Sequence, residues 1–336
     1  MLFRSKQPEP YRVVAGGYYD SERGSGMIAD AEARNWLGEA RRLGLRLRYD
    51  RQFEEQRLFV TQPFVRSLPM EMNLSLFRTR DTFEAFSVRT TGGSIQQDLR
   101  LERRFQFNWG YKGARSSFRV SAPELAESGI LVTSALTSSL SRDTRDDLLD
   151  ARRGYFTSHS FDFAARQLGT DFPFLKYFGQ FFRYFPLSRR DPGVRPPFVF
   201  ATAIRYGVLV PLSENRFVPT DRFFAGGGAT IRGFGQNEVG PKFADASARG
   251  GNTVLILNQE LRGPLYRWID AVFFHDAGNV MERASQLRLN DLRQAAGLGL
   301  RLRTPLLLFR IDRGWKLDRR PGESPGGWFF SIGHTF

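Results

Sequence analysis

Residues 43–50 read LGLRLRYD, and this stretch decides the fold class. Leu43, Leu45, Leu47 and Tyr49 take the odd positions, while glycine, arginine and aspartate take the even ones. Because successive side chains of a β-strand point to opposite faces of the sheet, this stretch predicts a strand with one apolar and one charged face. A helix would instead repeat its apolar residues three or four positions apart.

The same period of two recurs along most of the chain, for example at residues 82–90, 101–111 and 198–210. Turn-rich segments separate these stretches, and we count about sixteen strands of roughly ten residues each. Soluble sandwiches rarely combine so many strands with so many aromatic residues on their surface. The sequence therefore predicts an all-β fold, a transmembrane antiparallel β-barrel of about 16 strands.

The composition agrees with a barrel and restricts the possible functions. The 336 residues carry a formal charge of +14, and they include three histidines and no cysteine. A strongly basic chain can bind nucleic acid, but the basic residues here alternate with apolar ones and form no tail or helix face. A water-filled lumen would hold them instead. We expect no metal, no cofactor and no catalytic site, and hence no enzyme.

Residues 221–242 read DRFFAGGGATIRGFGQNEVGPK and form the most glycine-rich segment. Glycine clusters most often mark ordinary loops. A phosphate-binding loop would need Gly-Lys-Ser or Gly-Lys-Thr after the glycines, and the dinucleotide-binding spacing is also absent. The segment therefore predicts either a plain loop or a specialised loop that positions Arg232.

Three motifs together resemble the BamA/TamA-type outer-membrane assembly factors, also called the bacterial surface antigen superfamily. They are the loop motif IRGF at residues 231–234, FFHDAGNV at residues 273–280, and the terminal FSIGHTF at residues 330–336. The turn NWLG at residues 35–38 is also similar to an early turn of that family. The resemblance runs in order along nearly the whole chain.

This resemblance implies a sixteen-stranded barrel whose extracellular loop 6 folds back into the lumen. It implies that the loop motif, formed by Ile231, Arg232, Gly233 and Phe234, presents its arginine to acidic residues of the inner wall. Glu260 and Asp276 occupy the matching positions. Their neighbours Leu261 and Phe273 alternate toward lipid, so both carboxylates are expected to face the lumen.

The resemblance also implies an insertase or translocation barrel that assembles or translocates β-barrel or secreted proteins. A lateral gate would open at the seam between the first and last strands, where an exposed edge can pair with an incoming strand. The expected seam residues are Val13, Ala15, Gly16, Gly17, Phe330, Ile332 and Phe336. Expected partners are outer-membrane lipids including lipopolysaccharide, unfolded client proteins and accessory subunits, with no nucleic acid. A two-partner-secretion-type polypeptide transporter and a passive porin are the alternatives.

Residues 1–10 are expected to form a short N-terminal tail, and residues 11–336 the barrel. The family usually carries periplasmic POTRA domains before its barrel, and no such domain is expected in these 336 residues. An integral position in the outer membrane of a Gram-negative-type bacterium follows from the resemblance.

Overall fold

A computed structural model of the chain describes residues 9–63, 70–101, 104–120, 128–148, 150–187, 198–213, 221–304 and 308–332. Sixteen antiparallel strands follow one another around a closed barrel, in which each strand pairs with its neighbours in sequence and β1 meets β16. The predicted fold class is confirmed. No helix in the described part of the chain is long and apolar enough to cross a membrane.

The strands have the following bounds: β1 Tyr11–Asp20, β2 Gly24–Arg34, β3 Arg42–Tyr49, β4 Phe53–Gln62, β5 Met70–Thr82, β6 Phe86–Leu101, β7 Phe105–Val120, β8 Ser128–Asp143, β9 Gly154–Ala164, β10 Phe174–Pro186, β11 Val199–Pro211, β12 Thr253–Tyr266, β13 Ile269–Met281, β14 Arg293–Arg303, β15 Leu308–Lys316 and β16 Gly326–Ile332. Residues 1–8 of the expected tail and Phe336 of the expected seam lie outside the described residues.

The connections after odd-numbered strands all lie at one end of the barrel, because neighbouring strands are antiparallel. This end carries the longest connection, residues 212–252 between β11 and β12, which is the sixth loop at this end. Outer-membrane barrels have short periplasmic turns and longer extracellular loops. We therefore call this end extracellular and the connection loop 6.

The alternation seen in the sequence separates an outer from an inner surface. On β3, Leu45 and Leu47 are 42% and 43% exposed on the outer wall, whereas Asp50, just beyond the strand, is 2% exposed. On β12, Leu261 is 45% exposed while Glu260 faces the lumen and is 9% exposed. Apolar side chains thus face the membrane, and polar ones line the interior.

The buried core of the molecule lies inside the barrel rather than between layers. An aromatic cluster fills the extracellular half of the lumen, where the Phe83 ring stacks on Phe86 at 4.5 Å and on Phe224 at 5.0 Å between centroids. Phe223, Phe224 and Phe243 come from loop 6, and the other rings come from the wall and its connections. Loop 6 is therefore part of the packed interior.

The wall differs in height around the barrel. Strands β6, β7 and β8 have 16 residues each, whereas the described part of β16 has seven. The alternation predicts strands at residues 82–90 and 101–111, but β6 runs without interruption to Leu101 and β7 continues to Val120. The extension of β7 rises beyond the apolar band, so arginine and serine replace apolar residues on its outer face. Residues 91–101 of β6 cross that band, but Gly93 and Gln97 on the outer face interrupt the apolar alternation.

Candidate functional site: the loop 6 motif and the barrel seam

Loop 6 turns back on itself so that its motif reaches the inner wall. The amide of Gly227 donates to the carbonyl of Phe234 at 3.0 Å, and the Thr230 hydroxyl donates to the carbonyl of Gly226 at 2.8 Å. Gly227 and Gly233 have φ angles of +98° and +99°, a conformation that other residues rarely adopt. Ile231 and Phe234 are consequently fully buried.

Arg232 is the centre of the site and is 2% exposed. Its Nε and Nη2 donate to the two carboxylate oxygens of Asp276 at 2.7 and 2.8 Å, and its backbone amide donates to the same side chain at 3.0 Å. Its Nη1 donates to Glu260 at 2.5 Å. The planar guanidinium suits this bidentate geometry, which a lysine ammonium could not reproduce.

Two further groups fix the orientation of the guanidinium. The ring of Phe274, between Glu260 and Asp276 in the wall, lies 3.6 Å from the Arg232 Cζ, so the cation stacks on an aromatic face. Asn258 donates to the Thr230 carbonyl at 2.7 Å and to Asp276 at 2.8 Å. The structure thus brings Arg232, Glu260 and Asp276 together, as the resemblance implies.

The structure adds Asp312, a carboxylate that the sequence analysis did not name. Asp312 on β15 is fully buried, and one of its oxygens lies 3.5 Å from Arg232 Nη1. It also accepts hydrogen bonds from Arg301 Nη1 at 2.6 Å and Arg310 Nε at 2.8 Å. Its neighbour Ile311 is 42% exposed on the outer wall, so alternation alone could have identified Asp312 as lumen-facing.

Phe234 extends the same contact toward the last extracellular connection. Its ring lies between two cations, 4.7 Å from the Arg293 Cζ and 4.9 Å from the Lys316 Nζ. Arg293 in turn donates to Glu323 in the connection between β15 and β16, at 2.7 Å. Gly233 approaches the backbone of Gly314 so closely that a Cβ on Gly314 would lie 2.6 Å from its amide nitrogen.

The seam between β1 and β16 has few hydrogen-bonded partners. Only Tyr19 with Ile332 and Asp20 with Ser331 pair across it within the described residues, whereas β1 pairs with β2 at ten positions. The amide of Ser21 also donates to the Phe330 carbonyl at 2.9 Å. The pairing that the described residues make across the seam therefore lies near its extracellular end.

The expected seam residues lie at different places relative to this junction. Ile332 pairs with Tyr19, and Phe330 contacts the Tyr19 ring at 5.8 Å between centroids. The four expected residues of β1 face only β2 within the described part of the chain, and they are Val13, Ala15, Gly16 and Gly17. The register of the two strands could not be read from either strand alone.

Loop 6 bridges the seam from inside the barrel. The amide of Gly228 donates to the Glu22 carboxylate, in the turn after β1, at 3.0 Å. Its carbonyl accepts a hydrogen bond from Arg310 of β15 at 3.4 Å, and a Cβ on Gly228 would lie 3.2 Å from the Phe329 ring of β16. One residue of the loop thus contacts both sides of the junction.

The pKa of Glu22, the loop 6 partner in the first hairpin, is shifted from its ordinary value. Burial raises its pKa to about 7, against an ordinary value of 4.5, and the Gly228 hydrogen bond only partly offsets this rise. Its second oxygen is buried and has no hydrogen-bond partner among the described residues. The link between the first hairpin and loop 6 therefore includes a carboxyl group that titrates near neutral pH.

A closed barrel of sixteen strands with a loop held in its lumen by a buried arginine defines a class of integral outer-membrane proteins. Residues 35–336 match the Omp85 superfamily domain. The chain belongs to the Omp85 superfamily.

Among characterised relatives, the chain is 25% identical over 292 residues to the outer membrane protein assembly factor BamA of Nitratidesulfovibrio vulgaris. That match covers 82% of this chain and 35% of the relative. The chain is also 25% identical over 226 residues to the sorting and assembly machinery component 50 homologue of Mus musculus, covering 64% of this chain and 46% of the relative. It therefore spans less than half the length of these relatives.

Among solved structures, BamA from Haemophilus ducreyi lacking POTRA domains 1–3 is similar with a TM-score of 0.86 at 16% identity. The similarity covers 98% of this chain and 71% of that one. CdiB from Escherichia coli is similar with a TM-score of 0.59 at 13% identity, covering 98% and 63%. These likenesses concern the fold.

Proposed function

We propose that this protein inserts or translocates β-barrel or secreted proteins at the outer membrane, through a lateral gate between β1 and β16. The observation that carries this proposal is the short seam, which is joined at two residue pairs within the described residues. Every other neighbouring pair of strands shares at least seven. Among the described residues, opening this junction therefore breaks far fewer backbone hydrogen bonds than opening any other.

The edge of β1 supports the proposed way of receiving a client. Residues 11–17 pair with β2 on one side and with no described residue on the other. Tyr11 and Val13 are 73% and 75% exposed. An unpaired strand edge is a template for β-augmentation, in which the incoming strand gains backbone hydrogen bonds and the edge gains a partner.

The contacts of loop 6 support a role for this loop in holding the gate closed. Gly228 holds the β1 side of the seam through Glu22 and the β15 side through Arg310. Arg232 anchors the same loop to Glu260 and Asp276. Release of the loop would free both sides of the junction, so we assign the buried arginine the role of a latch.

The partners follow from this role. The clients would be unfolded outer-membrane or secreted proteins, and the surrounding solvent would be outer-membrane lipid, including lipopolysaccharide. Accessory subunits would supply clients from the periplasm. The role is not enzymatic, because it needs the exchange of strand pairs and no covalent step.

A disulfide across the seam tests the gate. Tyr19 and Ile332 lie directly opposite each other, at a spacing suited to a disulfide, and the chain has no native cysteine. We expect Tyr19→Cys/Ile332→Cys to stop client insertion into liposomes when oxidised and to restore it when reduced. The matched control is Ala29→Cys/Leu47→Cys, a directly opposite outer pair on β2 and β3. Unchanged insertion by the oxidised seam variant would refute the gate.

A two-partner-secretion-type transporter is the second candidate, and the fold similarity to CdiB favours it. Such a protein would pass its substrate through the lumen, past loop 6. The oxidised seam variant would then still translocate, while a disulfide that holds loop 6 to the wall would block it. A passive porin would show steady conductance that neither disulfide changes.

A further inference from the structure

We infer that the outer wall of β5, β6 and β7 carries a binding site for the phosphorylated headgroup of lipopolysaccharide in the outer leaflet. Five outward-facing arginines form this site, which we call the arginine patch, and they are Arg78, Arg80, Arg89, Arg115 and Arg119. The inference rests on the outer-membrane position that is part of the proposed function, and it does not require insertase activity.

The patch is compact because the register brings the five side chains together. Arg89 lies directly opposite Arg80 on β5, and on β7 it lies opposite Ser117. Arg78, Arg115 and Arg119 are its diagonal neighbours in the same register. Diagonal neighbours on one face are about 7–8 Å apart, and directly opposite ones about 5 Å. Arg89 is therefore the centre of a cluster of cations.

Nothing in the described structure neutralises most of this charge. Glu54 lies 3.6 Å from Arg80, and it is the single carboxylate that forms an ion pair with any of the five in the described residues. All five arginines are exposed. Like charges directly opposite each other destabilise a sheet, so an external anion at Arg89 would relieve its repulsion with Arg80.

The height of the patch fits the headgroup region of the outer leaflet. Leu76, Gly93 and Gly113 form the last row of the apolar outer band on these strands. The next row toward the extracellular end is Arg78, Thr91 and Arg115. The outer face therefore changes from apolar to polar at one level on three strands, and two of the three residues there are arginines, where hydrocarbon gives way to headgroups.

The chemistry of the patch selects phosphate. Guanidinium groups bind phosphate oxygens in pairs of parallel hydrogen bonds. The hydroxyl groups of Thr82, Ser87 and Thr91 lie on the same outer face between the arginines. The phosphorylated sugar of lipid A, the membrane anchor of lipopolysaccharide, presents two phosphates at the hydrocarbon boundary, which is the level of Arg78 and Arg115.

The test measures lipid binding to the whole chain purified in detergent micelles. Native mass spectrometry would follow titration with bisphosphorylated lipid A, monophosphoryl lipid A and phosphatidylglycerol. We expect Arg80→Gln/Arg89→Gln/Arg115→Gln to bind bisphosphorylated lipid A about a hundredfold more weakly, since one arginine near an anionic lipid surface contributes about fivefold. Monophosphoryl lipid A and phosphatidylglycerol should bind wild type progressively more weakly.

The chain offers a matched control at the opposite end of the barrel. Arg142 and Arg183 also face outward, and both flank the Tyr155 ring, at 5.3 and 5.6 Å. They lie toward the periplasmic end, so Arg142→Gln/Arg183→Gln should leave lipid A binding unchanged. The altered migration of unheated barrels in gels would verify folding, and Arg89→Gln alone should weaken binding about fivefold if the triple variant does not fold.

Three results would overturn the inference. They are retention of lipid A binding within threefold by the folded triple variant, equal binding of phosphatidylglycerol, and equal binding of an acidic peptide such as polyglutamate. Client insertion into lipopolysaccharide-free liposomes is read separately. The triple variant should insert clients there like wild type, so a failed lipid site and a failed gate give different results.

Discussion

Replacing Arg232 with alanine should release loop 6 from the lumen. The change removes the bidentate contact with Asp276, which is fully buried, and the hydrogen bond to Glu260. Glu260 still accepts a hydrogen bond from Arg262 at 2.7 Å, whereas the donors that remain to Asp276 among the described residues are neutral. One buried carboxylate is thus left uncompensated, which costs about 3–5 kcal/mol.

Cleavage by chymotrypsin at Phe234 measures this loss directly. The Phe234 side chain is fully buried when the loop is docked, so cleavage reports the released population. A cost of about 3–5 kcal/mol corresponds to a rise of about 10²–10⁴ in the cleavage rate at low protease concentration. Arg232→Lys should give a smaller rise in cleavage rate, because lysine keeps the positive charge beside the two carboxylates. Some rise should remain, because one ammonium cannot hold both carboxylates in the same geometry.

Two further variants separate this explanation from a general loss of stability. Arg46→Ala removes an exposed ion pair with Asp30, which is worth about 0–1 kcal/mol, and should leave cleavage at Phe234 nearly unchanged. Arg232→Met/Asp276→Asn removes both charges together and should be cleaved more slowly than Arg232→Ala. A rise below about fivefold for Arg232→Ala would refute the buried-anchor argument.

Three other substitutions give independent predictions. Burial raises the pKa of Glu22 from 4.5 to about 7, so the folded state binds a proton that the unfolded state has lost between these pH values. The free energy of unfolding therefore falls as pH rises from 4.5 through 7. Glu22→Gln should match the urea midpoint of wild type at pH 4 and exceed it at pH 8. The Arg293 hydrogen bond lowers the pKa of Glu323 from 4.5 to about 2, so the stabilisation by Glu323 is present above pH 4.5 and is lost as pH falls toward 2. The urea midpoints of wild type and Glu323→Gln should therefore converge in acid. A difference between them that stays constant with pH would contradict this. Gly314→Ala should expose Phe234 to chymotrypsin, since its Cβ would lie 2.6 Å from the Gly233 nitrogen, whereas Gly16→Ala, with no atom within 4 Å of the added Cβ, should not.

The wall of the barrel could be predicted from the sequence because its information is local. Leu45 and Arg46 reveal the two faces of β3 without any knowledge of neighbouring strands. The same reasoning identified Glu260 as lumen-facing from Leu261 beside it. Period two is a property of each strand alone, so sixteen weak patterns gave the correct architecture.

The rest of the site could not be predicted from single strands, because it depends on which residues of different strands and loops meet. Asp312 completes the contacts of Arg232 only because β15 lies beside β14 at a particular register. Gly314 matters only because the loop 6 backbone passes against it. The junction at Tyr19 and Asp20 likewise depends on the register between the two ends of the barrel wall. Such contacts join residues far apart in sequence, and no single-strand pattern encodes them.

The buried charges around Arg232 also have a consequence for small ions. Five guanidinium groups and three carboxylates meet at this level of the lumen: Arg205, Arg232, Arg262, Arg301 and Arg310 with Glu260, Asp276 and Asp312. A cavity of about 60 Å³ at this level is lined by Arg205, Arg232, Arg262, Arg310 and Glu260. An excess of fixed positive charge in a confined aqueous space lowers the energy of chloride and raises that of potassium. Any current that leaks past loop 6 should therefore be carried mainly by anions.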